Sequence, residues 1–580
     1  MKSRFNKFLF ILPILTLVSS CSTLDISNHQ ESNIKIAIAN SNYAKMKRLT
    51  DSLEQKDHTL HFTYEIADER KLNYYLRHNQ LDADIICLED FKGIELSSNL
   101  FVDLSTSEYV NRFSKYIQNN LSSTAKEGED IYCLPSPGGF YCYCVNNDLF
   151  EQYNLSIPSS FSTLIDYATN MKGILLPFAS SFEGDETYLD AFMQASIPSF
   201  FAYPIGYSVF NDFYNGVTAF KDSKYYLDLL KNINNNYRSL YSSKFINPNI
   251  STKDGIIKFF DGDSLMMSVS PSFDFETEYN KAREGFSYSF LPYLGSNEDE
   301  AWLPATSDFF VSVFKKSFET KDKAINKLLD YFSSREGQEI LLTDQYGDKS
   351  GNRISYLNDN AFELNGNYQA LNSVIKKGKI YFVDKFYYAF KDNLDSFKSF
   401  IQDSSSASTL VSELDDEMSM LNNYNYNKIY IEGFDGKGKL EENGKEMMAE
   451  ILKEIKTSQN SLTCVFLEDS FIKENVFEGM IYENELNTVF DETATATFYQ
   501  FNGTQLKNLI SNLTADFSGY GFVNRNGTYM TNDLQQFVDN KTYRILVSDK
   551  LTLDDSFYTQ AKKDTINVLS ILKNIWFENR

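Results

Sequence analysis

Histidine is almost missing from this chain. Of 580 residues only His29, His58, His61 and His78 are histidine, so the sequence beyond His78 contains no imidazole at all. That absence excludes a Ser-His-Asp arrangement and a dinuclear metallophosphatase centre, both of which need imidazole at the reacting atoms. Carboxylate-pair chemistry survives, but with 79 Asp and Glu residues a chance pair carries no information. No catalytic set, metal site or cofactor is therefore expected. Positive charge is also short, 55 Lys and Arg giving a formal net charge of -24. No basic stripe interrupts the negative field, which would repel a phosphate backbone, so nucleic acid is excluded as a partner. The six cysteines form no Cys-x-x-Cys pair of the kind that holds zinc. Cys142 and Cys144 would face one side of a strand with Cys133 opposite them in a hairpin; a disulfide fits an oxidising exterior, and small buried thiols are the preferred alternative. After the first residues, no stretch approaches the roughly 20 continuous apolar residues of a membrane helix.

What is present begins at the N-terminus. Lys2, Arg4 and Lys7 precede the apolar run Phe8 to Val18, which is too short to span a bilayer stably and reads as a signal peptide over residues 1–20. The run ends in Val18-Ser19-Ser20-Cys21, which resembles the bacterial lipobox, and this implies a lipid on Cys21 that tethers the mature chain to a membrane. Residues 21–33 are polar and read as a flexible tether. From Ile34 a strand, a helix from Tyr43 to Gln55, a strand from Leu60 to Ile66, a helix from Glu69 to Asn79 and a strand from Ala83 to Leu88 follow in turn. This βαβαβ rhythm predicts a mostly parallel sheet with ligands at the carboxyl ends of its strands. Aromatic residues reach 15%, with 48 Phe and 38 Tyr, and they crowd between Pro177 and Gly216. Such a surplus leaves rings for surface or cleft work, including stacking on a flat ligand.

Three stretches carry a resemblance. Asp84-Ile-Ile-Cys-Leu-Glu-Asp90 leads to Phe101-Val-Asp-Leu104; Gly128-Glu-Asp-Ile-Tyr-Cys-Leu-Pro135 leads to Phe140-Tyr-Cys-Tyr-Cys-Val-Asn-Asn-Asp-Leu-Phe150; and Phe260-Asp-Gly-Asp-Ser-Leu-Met-Met267 leads to Ser334-Arg-Glu-Gly-Gln338. In order and spacing these resemble the family 1 extracellular solute-binding proteins, the sugar-type receptors of ABC importers. The resemblance implies two α/β lobes of the type II periplasmic-binding-protein-like fold over residues 34–424, closing around a small solute, with carbohydrate as the ligand class and a membrane permease as partner. It also points to cleft residues: Trp302 in the charged loop Glu298-Asp-Glu-Ala-Trp302, Phe140 and Tyr141 after the Pro137-Gly-Gly139 turn, and Glu89 and Asp90 at a strand end. The family's tryptophan after the Met267 strand is replaced near Phe273, so the identity of the ligand is not inherited.

An acidic, serine-rich segment from Asp403 to Asp416 and a polar run from Asn422 to Asn427 precede a second pattern, which places a boundary near residue 425. Glu478-Gly479 followed by Leu486 and Phe490, then Phe501-Asn-Gly-Thr-Gln-Leu506 and Lys541-Thr-Tyr-Arg-Ile-Leu-Val547, resembles the C-terminal domain of the 5'-nucleotidase family. This implies a smaller α+β domain over residues 425–580. The resemblance places Lys473 where the family has a phosphate-facing arginine, losing the planar fork that grips phosphate. Phe490 and Tyr558 fall at the base-stacking positions, with Asp554 and Asp555 adding negative charge nearby. The expectation is a catalytically inactive module with Phe490, Tyr558 and Lys473 as its candidate site. The reading as a whole is a membrane-anchored solute receptor, not an enzyme. A surface sensor or adhesion lipoprotein uncoupled from transport, and a nucleoside- or nucleotide-binding enzyme, are its alternatives.

Overall fold

A computed structural model describes residues 32–578, except 123–129, 172, 181–183, 243–249, 272–286, 344–351, 359–365, 423–427, 432–442, 460, 475–478 and 552–562. Cys21, Phe273 and Tyr558, and the boundary placed near residue 425, lie outside the described residues.

The βαβαβ opening forms as the alternation of strand and helix dictates. Strands Ser32–Ala39, Leu60–Ala67 and Ile85–Leu88 alternate with helices Asn40–Lys56 and Glu69–Arg77. Ser32–Ala39 pairs in parallel with both other strands. Ile85–Leu88 is buried at every position, as a strand covered on both faces must be. Phe310–Val313 and Leu134–Pro135 complete this five-stranded sheet in antiparallel fashion. Helices Lys315–Phe332 and Arg335–Leu342 pack around it. A second sheet, in the order Leu176–Ala179, Ser264–Val269, Cys142–Asn146 and Tyr288–Leu291, is flanked by helices Asn147–Gln152, Phe161–Asn170 and Thr252–Phe260. Two hydrophobic cores result: one takes the first sheet together with one face of the second, through Cys142, Cys144, Met267 and Phe290, and the other takes the opposite face, through Tyr143, Val145, Met266 and Leu291.

The chain passes between the two lobes in several places that pair with one another. Phe140 N–H donates to Asn352 O at 3.1 Å, Tyr141 N–H to Pro304 O at 2.8 Å and Thr306 N–H to Gly139 O at 2.9 Å. Leu303–Ala305 runs parallel to Ile380–Phe382, and Gly138–Gly139 pairs with Arg353–Ile354. These strands approach so closely that a Cβ on Gly138 would lie 1.6 Å from Thr306 O, which only a glycine avoids. The bundle of short crossing strands has the form of a hinge.

The aromatic surplus turns out to be structural. Tyr188, Phe192, Phe200, Phe201, Phe210 and Phe213 are all buried in the second lobe's core. Phe192 alone packs against Phe386, Phe390 and Phe397 at centroid distances of 5.6, 5.6 and 4.6 Å. A helical region with few aliphatic side chains fills its interior with rings, so these residues are core and not cleft surface. Cys87, Cys133, Cys142, Cys144 and Cys464 are free, buried thiols, the preferred alternative for these residues.

Beyond the lobes stands a five-stranded sheet in the order Phe517–Tyr520, Leu462–Glu468, Thr542–Ser548, Thr495–Asn502 and Lys563–Asn567. Helix Asn443–Ser458 covers one face. The motif Phe501-Asn502-Gly503 marks a strand-to-helix junction: Asn502 and Gln505 form a reciprocal capping box on helix Gly503–Ser511. Among the described residues no helix is long and apolar enough to cross a membrane.

Candidate ligand-binding site

The carboxyl ends of the first lobe's parallel strands each carry a polar group. After the first strand come Ser41 and Asn42, which donate to Glu89 Oε1, Asn42 Nδ2 at 2.6 Å. Glu69 follows the second strand, and its Oε1 accepts from the Glu89 and Asp90 N–H groups at 2.9 and 3.2 Å. Asp90 follows the third and caps helix Phe91–Leu96 by accepting from Lys92 N–H at 2.7 Å. This helix start places the Asp90 carboxylate against backbone donors, which stabilise its charge.

From the crossing segments, Asp384 and Asp308 join this group. Ser307 N–H donates to Asp384 Oδ2 at 3.3 Å. Asp308 is balanced by Lys45, at 2.6 Å, and by Arg353. Among the described residues Glu69 and Asp384 have no ion pair, and Asp90 is offset only in part, by Lys391 and Lys92. Burial, with the nearby Asp90 and Glu89 charges added, pushes Glu69 up to about 8. Burial likewise lifts Asp384 to about 8, with Asp308 and Asp90 contributing. Asp90 is also raised by burial, against the pull of the Lys92 and Gly93 N–H groups and of Lys391 and Lys92. Like charges held together where opposite charges would be cheaper mark a functional site more often than a stabilising one. Chemically, the group offers carboxyl oxygens able to accept from hydroxyls and, in its protonated members, to donate.

Across this floor the lobes also touch directly. Lys92 Nζ donates to Tyr214 O at 3.2 Å and lies 4.4 Å from the Tyr214 ring centroid; burial pulls its pKa down. Tyr207 OH donates to Asn119 O at 2.6 Å, and Lys385 pairs with Glu95 at 3.1 Å.

The sequence-named residues are distributed unevenly. Glu89 and Asp90 lie in the acidic group, Glu89 exposed and Asp90 half-buried. Phe140 is 0% exposed and meets Tyr368 edge-on at 6.2 Å. Tyr141, 4% exposed, stacks on Tyr387 at 6.4 Å. Trp302, 8% exposed, belongs to the second lobe's core, bridges to Tyr293 in backbone pairing and has the Lys379 ammonium 5.6 Å from its ring. These three rings present almost no face to solvent. Glu69, Asp384, Ser41 and Asn42 went unnamed in the sequence, although Ser41, Asn42 and Glu69 directly follow parallel strands, the position where such folds bind ligands.

In the C-terminal sheet, Phe490 is 0% exposed, stacked on Phe471 at 5.2 Å and edge-on to Trp576 at 5.8 Å. Lys473 is exposed and donates to Asn487 O at 3.0 Å. Phe490 is thus a core ring, with no open face for a base to stack on.

A family 1 extracellular solute-binding protein from Bifidobacterium longum subsp. infantis superposes with a TM-score of 0.53 at 14% identity, covering 67% of this chain and 99% of that one. The fold is that of the two-lobed solute-binding proteins. The solute receptor AcbH, described as having an exclusive preference for β-D-galactopyranose, superposes with a TM-score of 0.53 at 12% identity, over 68% of this chain and all of its own. The apo form of RafE from Streptococcus pneumoniae gives 0.51 at 15% identity, over 68% of this chain and 98% of that one. No protein-family model and no curated protein matches the chain. The acidic group sits beside the crossing strands, Asp384 lying just past Ile380–Phe382.

Proposed function

We propose that this chain is a membrane-anchored extracellular receptor that captures a carbohydrate between its lobes and presents it to an ABC permease. The observation that carries this reading is the group formed by Glu69, Glu89, Asp90 and Asp384, set at strand ends and crossing segments of a two-lobed solute-binding fold. Carboxyl oxygens suit sugar hydroxyls, which donate to them in charge-assisted hydrogen bonds. A cleft that closes on its solute excludes water and couples occupancy to shape, which a permease reads. The galactopyranose preference of AcbH, a protein of the same fold, supports carbohydrate as the class. Lipid on Cys21 would hold the receptor near its permease and raise its effective concentration. The C-terminal module, residues 425–580, is assigned no catalysis: it has no histidine, and its aromatic at Phe490 is built into a core. We assign its likeness to the 5'-nucleotidase C-terminal domain to architecture alone.

A thermal-shift screen of the full chain against monosaccharides, oligosaccharides and nucleosides tests the reading. A solute bound only by the folded state, present at about a hundred times its Kd, stabilises by about 2.7 kcal/mol. Stabilisation by a saccharide and by no nucleoside is expected. A shift with nucleosides alone would transfer the binding function to another chemistry and overturn the proposal.

A further inference from the structure

The second lobe carries a pocket of about 350 Å3 whose lining includes no residue of the first lobe or of the crossing segments. Its volume falls within the range of small-molecule sites, roughly 300–1,000 Å3. One wall is helix Phe161–Asn170, which contributes Phe161, Ile165 and Asp166 from one face. The opposite wall is built by two π-helical turns, Ile197–Phe201 and Ile233–Tyr237, which supply Ser199 and the pair Asn235 and Asn236. A π turn inserts a residue into a helix and strains its ladder, and such turns recur at functional sites. Here both face the same cavity.

The two turns are fastened to each other. Asn236 Nδ2 donates to Ser199 Oγ at 3.1 Å and to Ala195 O at 3.2 Å, and Ser199 Oγ donates to Ala195 O at 2.5 Å. The floor is therefore fixed before any ligand arrives. Above it, Asn235 and Asp166 are exposed, and among the described residues neither side chain takes part in a hydrogen bond or ion pair. No cation lines the cavity, so an anionic ligand would meet only the Asp166 carboxylate. The remaining surface joins an apolar strip, Phe161 with Ile165, to a carboxamide that both donates and accepts and to a carboxylate that accepts. A pyranose ring has matching chemistry, an apolar face bordered by hydroxyls.

We infer that this pocket is a second saccharide-binding site, for a single neutral sugar ring, independent of the cleft between the lobes. Phe161 and Ile165 take the apolar face, while Asn235 and Asp166 bond its hydroxyls.

The test is saturation-transfer NMR on the full chain with D-glucose, D-galactose and N-acetyl-D-glucosamine at millimolar concentration. It is run in a Glu89→Gln/Asp90→Asn background, so that the cleft's contribution is reduced and a failure of the cleft proposal leaves this one decidable. Transfer to at least one sugar is expected to persist in that background. Adding Asp166→Ala with Asn235→Ala should lower its apparent affinity about tenfold, the consequence of losing two hydrogen bonds to ligand. Both side chains are exposed and unbonded, so the melting temperature should hold, which the same samples report. No transfer to any of the three sugars in the cleft background, or transfer that the second pair of substitutions leaves unchanged, would overturn the inference.

Discussion

The first lobe meets its two neighbours in opposite ways. Toward the second lobe it presents carboxyl groups to one another: Glu69, Glu89, Asp90 and, from a crossing segment, Asp384. Toward the C-terminal module it presents opposite charges. Arg77 pairs with Glu485 at 2.8 Å, where the Glu485 side chain is 0% exposed, and His78 Nε2 lies 3.7 Å from the same carboxylate. Lys71 pairs with Glu474 at 2.9 Å, and Tyr74 is buried within the module's own hydrophobic core. One helix, Glu69–Arg77, carries both arrangements, its first residue in the acidic group and its last turn in the docked interface. On the proposed function, the first is the surface that receives the solute and the second is one that holds the module. Repelling acids cost stability unless a ligand or a proton relieves them, whereas a buried pair offsets its desolvation by mutual attraction and is strongly destabilising when one partner is removed.

Breaking the held interface should have the largest effect. Arg77→Ala removes the close cation from the buried Glu485 carboxylate, leaving it His78 and the Tyr482 N–H, which donates to Glu485 Oε2 at 2.9 Å; loss of one member of a buried pair costs about 3–5 kcal/mol. Denaturant unfolding of this variant should show the module melting at lower concentration than the lobes. A single transition at the original midpoint would mean that the two do not depend on this contact. Within the module, Phe490→Ala removes a ring stacked on Phe471 and packed on Trp576. The expected loss is about 3 kcal/mol or more, followed through Trp576 fluorescence, with no change in saccharide affinity. Little loss of stability with loss of a bound nucleoside would restore Phe490 as a ligand platform.

The acidic side predicts the reverse pH behaviour of an ordinary ion pair. Glu69 and Asp384 are raised from 4.5 and 3.8 to about 8, so the folded state binds more protons than the unfolded chain between those values. Their contribution is present at low pH and is lost as pH rises through about 8. Glu69→Gln with Asp384→Asn should therefore flatten the fall in melting temperature between pH 5 and 8, by about 2 °C or more. An unchanged slope would show that these acids are not proton-bound in the folded state. Smallest of all, Lys473→Ala removes an exposed side chain and one bond to Asn487 O, for a change within about 0.5 kcal/mol in urea titration.

Much of the fold was legible because periodicity is local. The strands and helices between residues 32 and 88 follow directly from the spacing of apolar residues. The site was legible only in part. Glu89 and Asp90 could be named because they end a continuous apolar strand, a signal carried by neighbours in sequence. Asp384 reaches the same place from the far side of a crossing, and no local pattern announces that. The rings are hard to read from sequence for a related reason. Phe140, Tyr141, Trp302 and Phe490 occupy motif positions, but an aromatic at such a position packs a junction as readily as it meets a ligand, and composition alone does not tell burial from exposure. In the C-terminal module the same holds for Asn502 and Gln505, whose spacing serves a helix cap.

The central claim is that a saccharide is held by the carboxyl groups between the lobes. Isothermal titration of the full chain with the best saccharide from the thermal screen, beside the Glu89→Gln/Asp90→Asn variant, tests it directly. Both substitutions keep side-chain shape, and asparagine at residue 90 retains the helix cap. Losing charge-assisted acceptors should weaken binding about tenfold to a hundredfold, while the melting temperature of the empty protein holds or rises as repulsion is relieved. Equal affinity in the two proteins would contradict the account and move the ligand elsewhere.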